Sequence, residues 1–143
     1  MSMAYRASFA CYLLTGLVLA GFGIRYFVAG QLMPYHAGAL GQPLTAMAPN
    51  QQITFLTLYR AVGTGMLSTA IAFGFLLFIP FRRGEAWSRW AMTASGLCFA
   101  GLSTYFTLAF KSATGIDAPW PAAIGSAVLV IVAHILGSWK PKA

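Results

Sequence analysis

The sequence predicts an all-α integral membrane protein, a four-helix antiparallel bundle with an outer interfacial loop or short helix. Hydrophobic residues make up 59% of the 143-residue chain and charged residues only 8%, whereas a typical soluble domain has about 25% charged residues. Four apolar runs reach the roughly 20 residues that a helix needs to cross a bilayer. Because the connections between them are short, residues 1–143 are predicted to form a single membrane domain.

The four predicted spans are Phe9–Gly30, Ile53–Pro80, Trp90–Phe110 and Trp120–Trp139. The first span is longer than the apolar core of a secretory signal, which has roughly 7–15 residues. It also runs directly into Arg25 and Tyr26 rather than into a polar mature chain. We therefore expect the first span to be a retained helix.

Residues 31–52 connect the first two spans and contain no lysine, arginine or acidic residue. An uncharged, partly apolar segment of this length is poorly solvated when it extends into water. We expect it to fold back over the bundle, or to lie in the interface as a short helix between Pro34 and Met47. Asn50 follows Pro49 and is predicted to cap the second spanning helix.

Small side chains recur along the first three spans, at spacings that let helix backbones approach closely. We expect these faces to pack against one another in a compact antiparallel bundle with short connections. Packing against another subunit is the alternative. The residues are Gly16, Ala20, Gly21 and Gly23 in the first span, Gly63, Gly65, Ser68, Ala72 and Gly74 in the second, and Ala91, Ser95, Gly96 and Ala100 in the third.

The lysines and arginines that flank the spans predict the orientation of the chain. Under the positive-inside rule, both termini and the second connection are cytoplasmic, and the other connections face outward. Every short connection agrees except for Lys111 in the third. Topology and attraction to anionic lipid account for the net charge of +7, so we expect no nucleic-acid partner. The flanking residues are Arg6, Arg82, Arg83, Arg89, Lys140 and Lys142.

Arg25 and Arg60 interrupt the first two apolar runs. At 1.5 Å per residue, Arg25 lies about 25 Å along its helix from Ser8, and Arg60 lies about 30 Å from Pro80. Both are therefore expected at the outer edge of the hydrocarbon core rather than at its centre. A charge at membrane depth is costly and needs a partner, a headgroup or a cavity. Snorkelling to lipid phosphates without a specific site is the alternative for both arginines.

Three further polar residues are predicted at the same outer level. Lys111 ends the third span, Asp117 precedes the fourth, and His36 lies in the first connection. We expect them to converge with the two arginines beneath a lid made by residues 31–52. Because Asp117 is the only acidic residue expected on the outer side, it is predicted to pair with one arginine. The other arginine is then expected to bind an anion or a polar headgroup.

The histidines and cysteines predict little cofactor chemistry. His36 and His134 are expected on opposite sides of the membrane, which argues against a haem or metal site formed by this chain alone. His134 is expected to bond to a neighbouring side chain, and axial ligation shared with another subunit is the alternative. Cys11 and Cys98 are expected at different depths and lack a C-x-x-C partner, so we predict no redox motif.

Two stretches resemble small bacterial four-helix membrane proteins of the DoxX-like kind. One is residues 33–36, with the sequence MPYH, and the other is residues 59–65, with the sequence YRAVGTG. The hydropathy of the whole chain is similar too. The resemblance implies a compact four-helix bundle in the inner membrane, and it carries over no catalytic residue.

The leading functional hypothesis is a non-enzymatic membrane protein. It would bind a lipid, a quinone or a similar amphiphile at the outer interface, or act as an accessory subunit of a larger complex. Membrane lipids are then its partners, together with other subunits or further copies of the chain. Arg25, Arg60 and His36 are expected to hold the polar head of the ligand. Its apolar part is expected against Tyr35, Tyr59 and Trp120.

Two alternatives remain open at this point. A small enzyme acting on a lipid or quinone would use His36 and Asp117 as acid–base residues. A small transporter is the other alternative. The absence of a carboxylate in the middle of the membrane argues against proton-coupled transport, because such relays use Asp, Glu or His side chains.

Overall fold

The computed structural model describes residues 2–138 and is all-α, as predicted. Trp139, Lys140 and Lys142, which the sequence places at the cytoplasmic side, lie outside the described residues. The five helices are α1 (Met3–Phe27), α2 (Pro34–Leu40), α3 (Pro49–Leu76), α4 (Ala86–Thr114) and α5 (Trp120–Ser138). Four of them, α1, α3, α4 and α5, are long and apolar enough to cross a membrane.

The long helices begin earlier than the apolar runs do. The helix α1 begins at Met3, where the Ser2 hydroxyl accepts a hydrogen bond from the Tyr5 N–H at 3.2 Å. The helix α3 begins at Pro49, so the predicted cap at Asn50 is wrong. Pro49 occupies the first helical position, where a missing N–H costs nothing. The Gln51 side chain then accepts a bond from the Ala48 N–H at 3.2 Å.

The second connection is also shorter than predicted. A π-helical turn, Leu77–Phe81, continues α3, since Pro80 has no N–H to give to a regular helix. Gly84 then turns the chain with a φ of 77°, and α4 begins at Ala86. Arg89 therefore lies within the first turns of α4 rather than in the connection where the sequence analysis placed it.

The four long helices form an antiparallel bundle with one open seam. The helix α1 packs along both α3 and α5, and α4 packs along α5. Direct contact between α3 and α4 is sparse, and both meet instead at the π-helical turn. We call the end with Arg6, Arg82, Arg83 and Arg89 the basic end, and the opposite end the lid end. Within residues 2–138, the α3–α4 seam is thus sparsely packed, and the π-helical turn contacts both helices at the basic end.

The main core of the bundle lies toward the basic end. Its buried residues come from all four long helices and the π-helical turn. Tyr12 is fully buried and meets Phe73 and Phe81 edge-on, with ring centroids 5.9 and 5.5 Å apart. Van der Waals packing of this kind is what holds helices together in lipid. The cluster comprises Tyr12, Phe73, Leu77, Phe81, Met92, Val130 and Ala133.

Two of the small residues make the closest helix contacts. A Cβ on Gly63 of α3 would lie 2.5 Å from the Phe27 backbone nitrogen and 2.8 Å from the Gly23 carbonyl oxygen. A Cβ on Gly96 of α4 would lie 2.9 Å from Val130. The predicted close packing is therefore confirmed at these positions. Gly21 and Gly65, in contrast, face open space.

The first connection folds back over the bundle, as predicted. Residues 31–48, which we call the lid, contain α2 and a short 3-10 turn, Leu44–Ala46. Their apolar side chains pack against Tyr59 and its neighbours near the start of α3. This packing buries part of the apolar extension of α3 beyond Arg60. The buried residues of the cluster are Leu32, Met33, Leu44, Met47 and Tyr59.

Candidate functional site

A cavity of about 650 Å³ lies along the open seam between α3 and α4. We call it the cleft cavity. Side chains from all four long helices line it, together with Tyr35 and His36 of the lid. Its volume falls within the roughly 300–1,000 Å³ that is usual for small-molecule sites. One wall of α4 carries Phe99, Ser103, Phe106 and Phe110.

The cleft cavity runs from the main core to the lid and faces sideways. Phe73 and Gly96 line it toward the basic end, where they meet the main core. Tyr35 and His36 line it toward the lid end, with ring centroids 6.1 and 5.7 Å from that of Phe110. Since α3 and α4 barely touch beside it, the cavity is open on the surface that lipid would cover.

The interior of the cleft cavity is apolar despite its hydroxyl groups. Each of five hydroxyls donates to a carbonyl one turn back on its own helix, at 2.8–3.0 Å. Such bonds satisfy the donor locally. None of the lining residues is charged, so the cavity suits a hydrocarbon chain. The hydroxyls belong to Thr15, Thr69, Ser95, Thr107 and Ser126.

His36 lines the lid end of this cavity and is held there by Tyr59. The Tyr59 oxygen accepts a hydrogen bond from the Met33 N–H at 3.1 Å and is also bonded to Nδ1 of His36. Burial lowers the pKa of His36 and favours the neutral imidazole. Tyr59 thus holds His36 by a hydrogen bond but does not itself line the cavity.

A second cavity of about 330 Å³ adjoins the first at the lid end. We call it the vestibule. Arg25 and Asp117 line it, with Pro34 and Met33 of the lid. It shares five lining residues with the cleft cavity. They are Phe22, Tyr26, Tyr35, Ala118 and Pro119.

Two tyrosines form the polar part of this shared wall. The hydroxyls of Tyr26 and Tyr35 are hydrogen-bonded to each other. Burial, and then the bond to Tyr26, raises the pKa of Tyr35, which stays a neutral phenol. The charged vestibule and the apolar cleft cavity therefore meet at a pair of neutral hydroxyls.

Asp117 pairs with Lys111, not with an arginine as the sequence analysis predicted. The two charged atoms are 2.6 Å apart, because Gly115 adopts a φ of 73° and turns the chain back beside the end of α4. Trp120 completes the group: its Nε1–H donates to Asp117 at 3.3 Å, and its ring lies 5.5 Å from the Lys111 ammonium. The bonds from Lys111 and Trp120 lower the pKa of Asp117.

The two arginines that the sequence analysis expected to converge are separated. Both arginines are exposed, but Arg25 lines the vestibule, whereas Arg60 lines neither cavity. Tyr59 points into the lid cluster, and the next residue along a helix is rotated by about 100°. His36 and Asp117 also lie in different chambers. Within residues 2–138, neither arginine forms an ion pair.

A polar network at the basic end was not predicted from the sequence. The Thr93 hydroxyl lies 2.7 Å from the Tyr12 hydroxyl and 2.8 Å from Nδ1 of His134. The predicted hydrogen bond of His134 to a neighbour is thereby confirmed. Arg89 donates to the Gly137 carbonyl at 2.5 Å, and within the described residues its buried Nε has no partner. The spacing of Arg89 and Thr93, one turn apart, is the signal that marks this face of α4.

The lining of the cleft cavity was missed as well. Phe99, Phe106 and Phe110 are spaced seven and four residues apart. This spacing places them on one face of a helix. Together with Ser103, these phenylalanines form the face of α4 that borders the cavity. The sequence alone gives no reason for that face to border a cavity rather than a packed neighbour.

Neither a cluster of metal-ligating side chains in the described residues nor a match to a known protein identifies a ligand for this site. Within residues 2–138, no three His, Cys, Asp or Glu side chains come together in a way that would hold a metal ion. No protein-family model matches the sequence, and comparisons with curated proteins and with solved structures find no match either. The candidate site therefore comprises the cleft cavity, the vestibule and the wall that they share.

Proposed function

We propose that this protein is a non-enzymatic, multi-pass protein of a bacterial inner membrane that binds an amphiphile in the cleft cavity. The observation that carries the proposal is an uncharged cavity of about 650 Å³ between two spanning helices that scarcely touch. A soluble ligand would have to cross the lid or the bundle to reach it. A membrane amphiphile reaches it sideways from the bilayer.

The two ends of the cavity support a fixed orientation of the ligand. Toward the basic end the lining is apolar and continuous with the main core. Toward the lid end are the His36 ring and the hydroxyls of Tyr26 and Tyr35. An amphiphile would place its chain toward the core and its polar group toward these side chains, because unpaired polar groups in an apolar environment are costly.

The basic residues support an outward-facing lid. Arg6, Arg82 and Arg83 are all exposed at the basic end, and under the positive-inside rule that end would face the cytoplasm. The ligand's polar group would then lie in the outer leaflet. The resemblance to DoxX-like proteins is compatible with this placement and stays a prediction.

The arrangement favours binding over acid–base catalysis. The enzyme alternative pairs His36 with Asp117, but His36 bonds to Tyr59 and Asp117 bonds to Lys111. The two side chains also line different cavities. An accessory-subunit role is compatible with ligand binding and predicts a partner chain that co-purifies.

The proposal is tested by filling the cavity. Ala123→Phe adds a ring to a small residue that lines the cleft cavity, and Ala72→Phe makes the same change on the exposed face of α3. Native mass spectrometry of protein extracted in mild detergent measures the co-purifying amphiphile. We expect wild type and Ala72→Phe to retain it and Ala123→Phe to lose most of it.

Circular dichroism and thermal unfolding establish that both variants are folded. Equal retention by Ala123→Phe and Ala72→Phe, with both folded, would contradict the proposal. So would a wild-type protein that carries no amphiphile and binds none when lipids are added back.

A further inference from the structure

The cleft cavity and the vestibule differ in charge although they share a wall. The cleft cavity has no charged lining residue, while Arg25 and Asp117 line the vestibule. The Asp117 carboxylate is already neutralised by Lys111 at 2.6 Å. Arg25 has no carboxylate partner within residues 2–138, so the vestibule presents an unpaired positive charge.

The shared wall offers a hydrogen-bond donor beside that charge. The two hydroxyls of Tyr26 and Tyr35 carry two hydrogens, and their mutual bond uses only one of them. The second hydrogen is free to donate to a group at the boundary between the chambers. A cation and a hydroxyl donor together suit an anionic oxygen, since charge-assisted hydrogen bonds are the stronger kind.

We propose that the ligand is an amphiphile with an acidic head, whose carboxylate or phosphate is bound by Arg25 in the vestibule while its chain lies in the cleft cavity. This assignment rests on the proposed function and adds the chemistry of the head. The five residues of the shared wall line both cavities, and the chain of the ligand would pass beside them. Arg60, which lines neither chamber, takes no part in binding.

Three probes with the same chain separate the contributions of head and chain. They are oleate, monooleoyl phosphatidate and oleyl alcohol, each radiolabelled and measured with the purified full-length protein in dodecyl maltoside. Arg25→Gln removes the charge in the vestibule. Arg60→Gln is the matched control, because it removes an exposed arginine from a neighbouring spanning helix. Ala123→Phe blocks the chamber for the chain.

We expect Arg25→Gln to weaken binding of the acidic probes by about tenfold, as for the loss of a charge-assisted hydrogen bond. Its binding of oleyl alcohol should not change. Arg60→Gln should bind all three probes as wild type does. Ala123→Phe should weaken all three, because every probe needs the cleft cavity. Binding of only one acidic probe, with dependence on Arg25, also supports the proposal and identifies the head as a carboxylate or a phosphate.

Different outcomes would refute the acidic head and the binding of an amphiphile in the cleft cavity. If the acidic probes bind no more tightly than oleyl alcohol, or if Arg25→Gln and Arg60→Gln have equal effects, the acidic head is refuted and the cavity stands. If Ala123→Phe leaves the binding of every probe unchanged, the proposed function is refuted as well.

Discussion

The basic end and the lid end are built from the same four helices. They differ in the hydrogen-bond partners of their polar side chains and in the contact between α3 and α4. At the basic end, Tyr12 and Ser8 are fully buried and bonded across helices, Ser8 to the Ala133 carbonyl at 2.6 Å. The π-helical turn joins α3 to α4 there. Along the cleft cavity, α3 and α4 make sparse contact, and the Thr69 and Thr107 hydroxyls bond within their own helices.

The difference shows where this chain uses polar side chains to hold helices together. Interhelical hydrogen bonds fix the basic end, where packing is complete. In the cleft cavity, five of the lining hydroxyls are instead satisfied within their own helices. The proposed binding of an amphiphile would use this arrangement, because ligand sites are usually largely pre-formed.

Thr93→Val gives the largest expected loss of stability. The substitution keeps the shape of the side chain and removes the hydroxyl that links Tyr12 to His134. Nδ1 of His134 then loses its partner, and the Tyr12 hydroxyl keeps only a 3.4 Å contact with the Arg89 carbonyl. We expect the free energy of unfolding to fall by about 1–3 kcal/mol, measured by thermal unfolding in detergent.

Thr69→Val is the matched change in the cleft cavity. The Thr69 hydroxyl bonds only to the Gly65 carbonyl of its own helix, so its loss should change stability by less than about 0.5 kcal/mol. Equal losses for the two variants would remove the distinction between the ends.

Acidification is expected to destabilise the closed lid, with a smaller effect than that of Thr93→Val. Burial lowers the pKa of His36 below its ordinary value of 6.5. An opened lid therefore takes up a proton on His36 more readily than the closed lid does, once the pH falls below about 6.5. The closed state loses stability from there down to the lowered pKa and is unaffected above pH 7. Amide hydrogen exchange of residues 31–48, corrected for intrinsic rates, measures the opening.

His36→Gln is the control for the pH effect. Because glutamine does not titrate, the corrected exchange of this variant should be flat between pH 7.5 and 5.5. The interpretation fails if wild type and His36→Gln respond to acid alike, or if the wild-type lid becomes more protected as the pH falls.

Much of the fold is predictable because membrane thickness dictates it. Apolar runs of about 20 residues predict spanning helices, and each predicted span overlaps one of the four helices found. The ends were harder to predict. Polar residues beyond the apolar run, such as those near Arg89, still continue a helix, and Pro49 rather than Asn50 starts α3. The fold-back of residues 31–48 followed from their lack of charge.

The residues that belong to the site were predicted better than their arrangement was. Tyr35, His36, Arg25 and Asp117 all line a cavity, but the pairing of Asp117 with Lys111 depends on the turn at Gly115. The position of Arg60 depends on which way α3 is rotated, and Tyr59 decides that by packing under the lid. The cleft cavity itself arises from the separation of two helices, which no single stretch of sequence encodes.

The most direct test of the central claim is an electron cryo-microscopy reconstruction of the protein in lipid nanodiscs, bound to a rigid fragment that adds mass. We predict elongated density between α3 and α4, running from Phe73 toward His36 and open to the surrounding lipid. Side chains of α3 and α4 packed against each other along this whole length, with no space between them, would contradict the account.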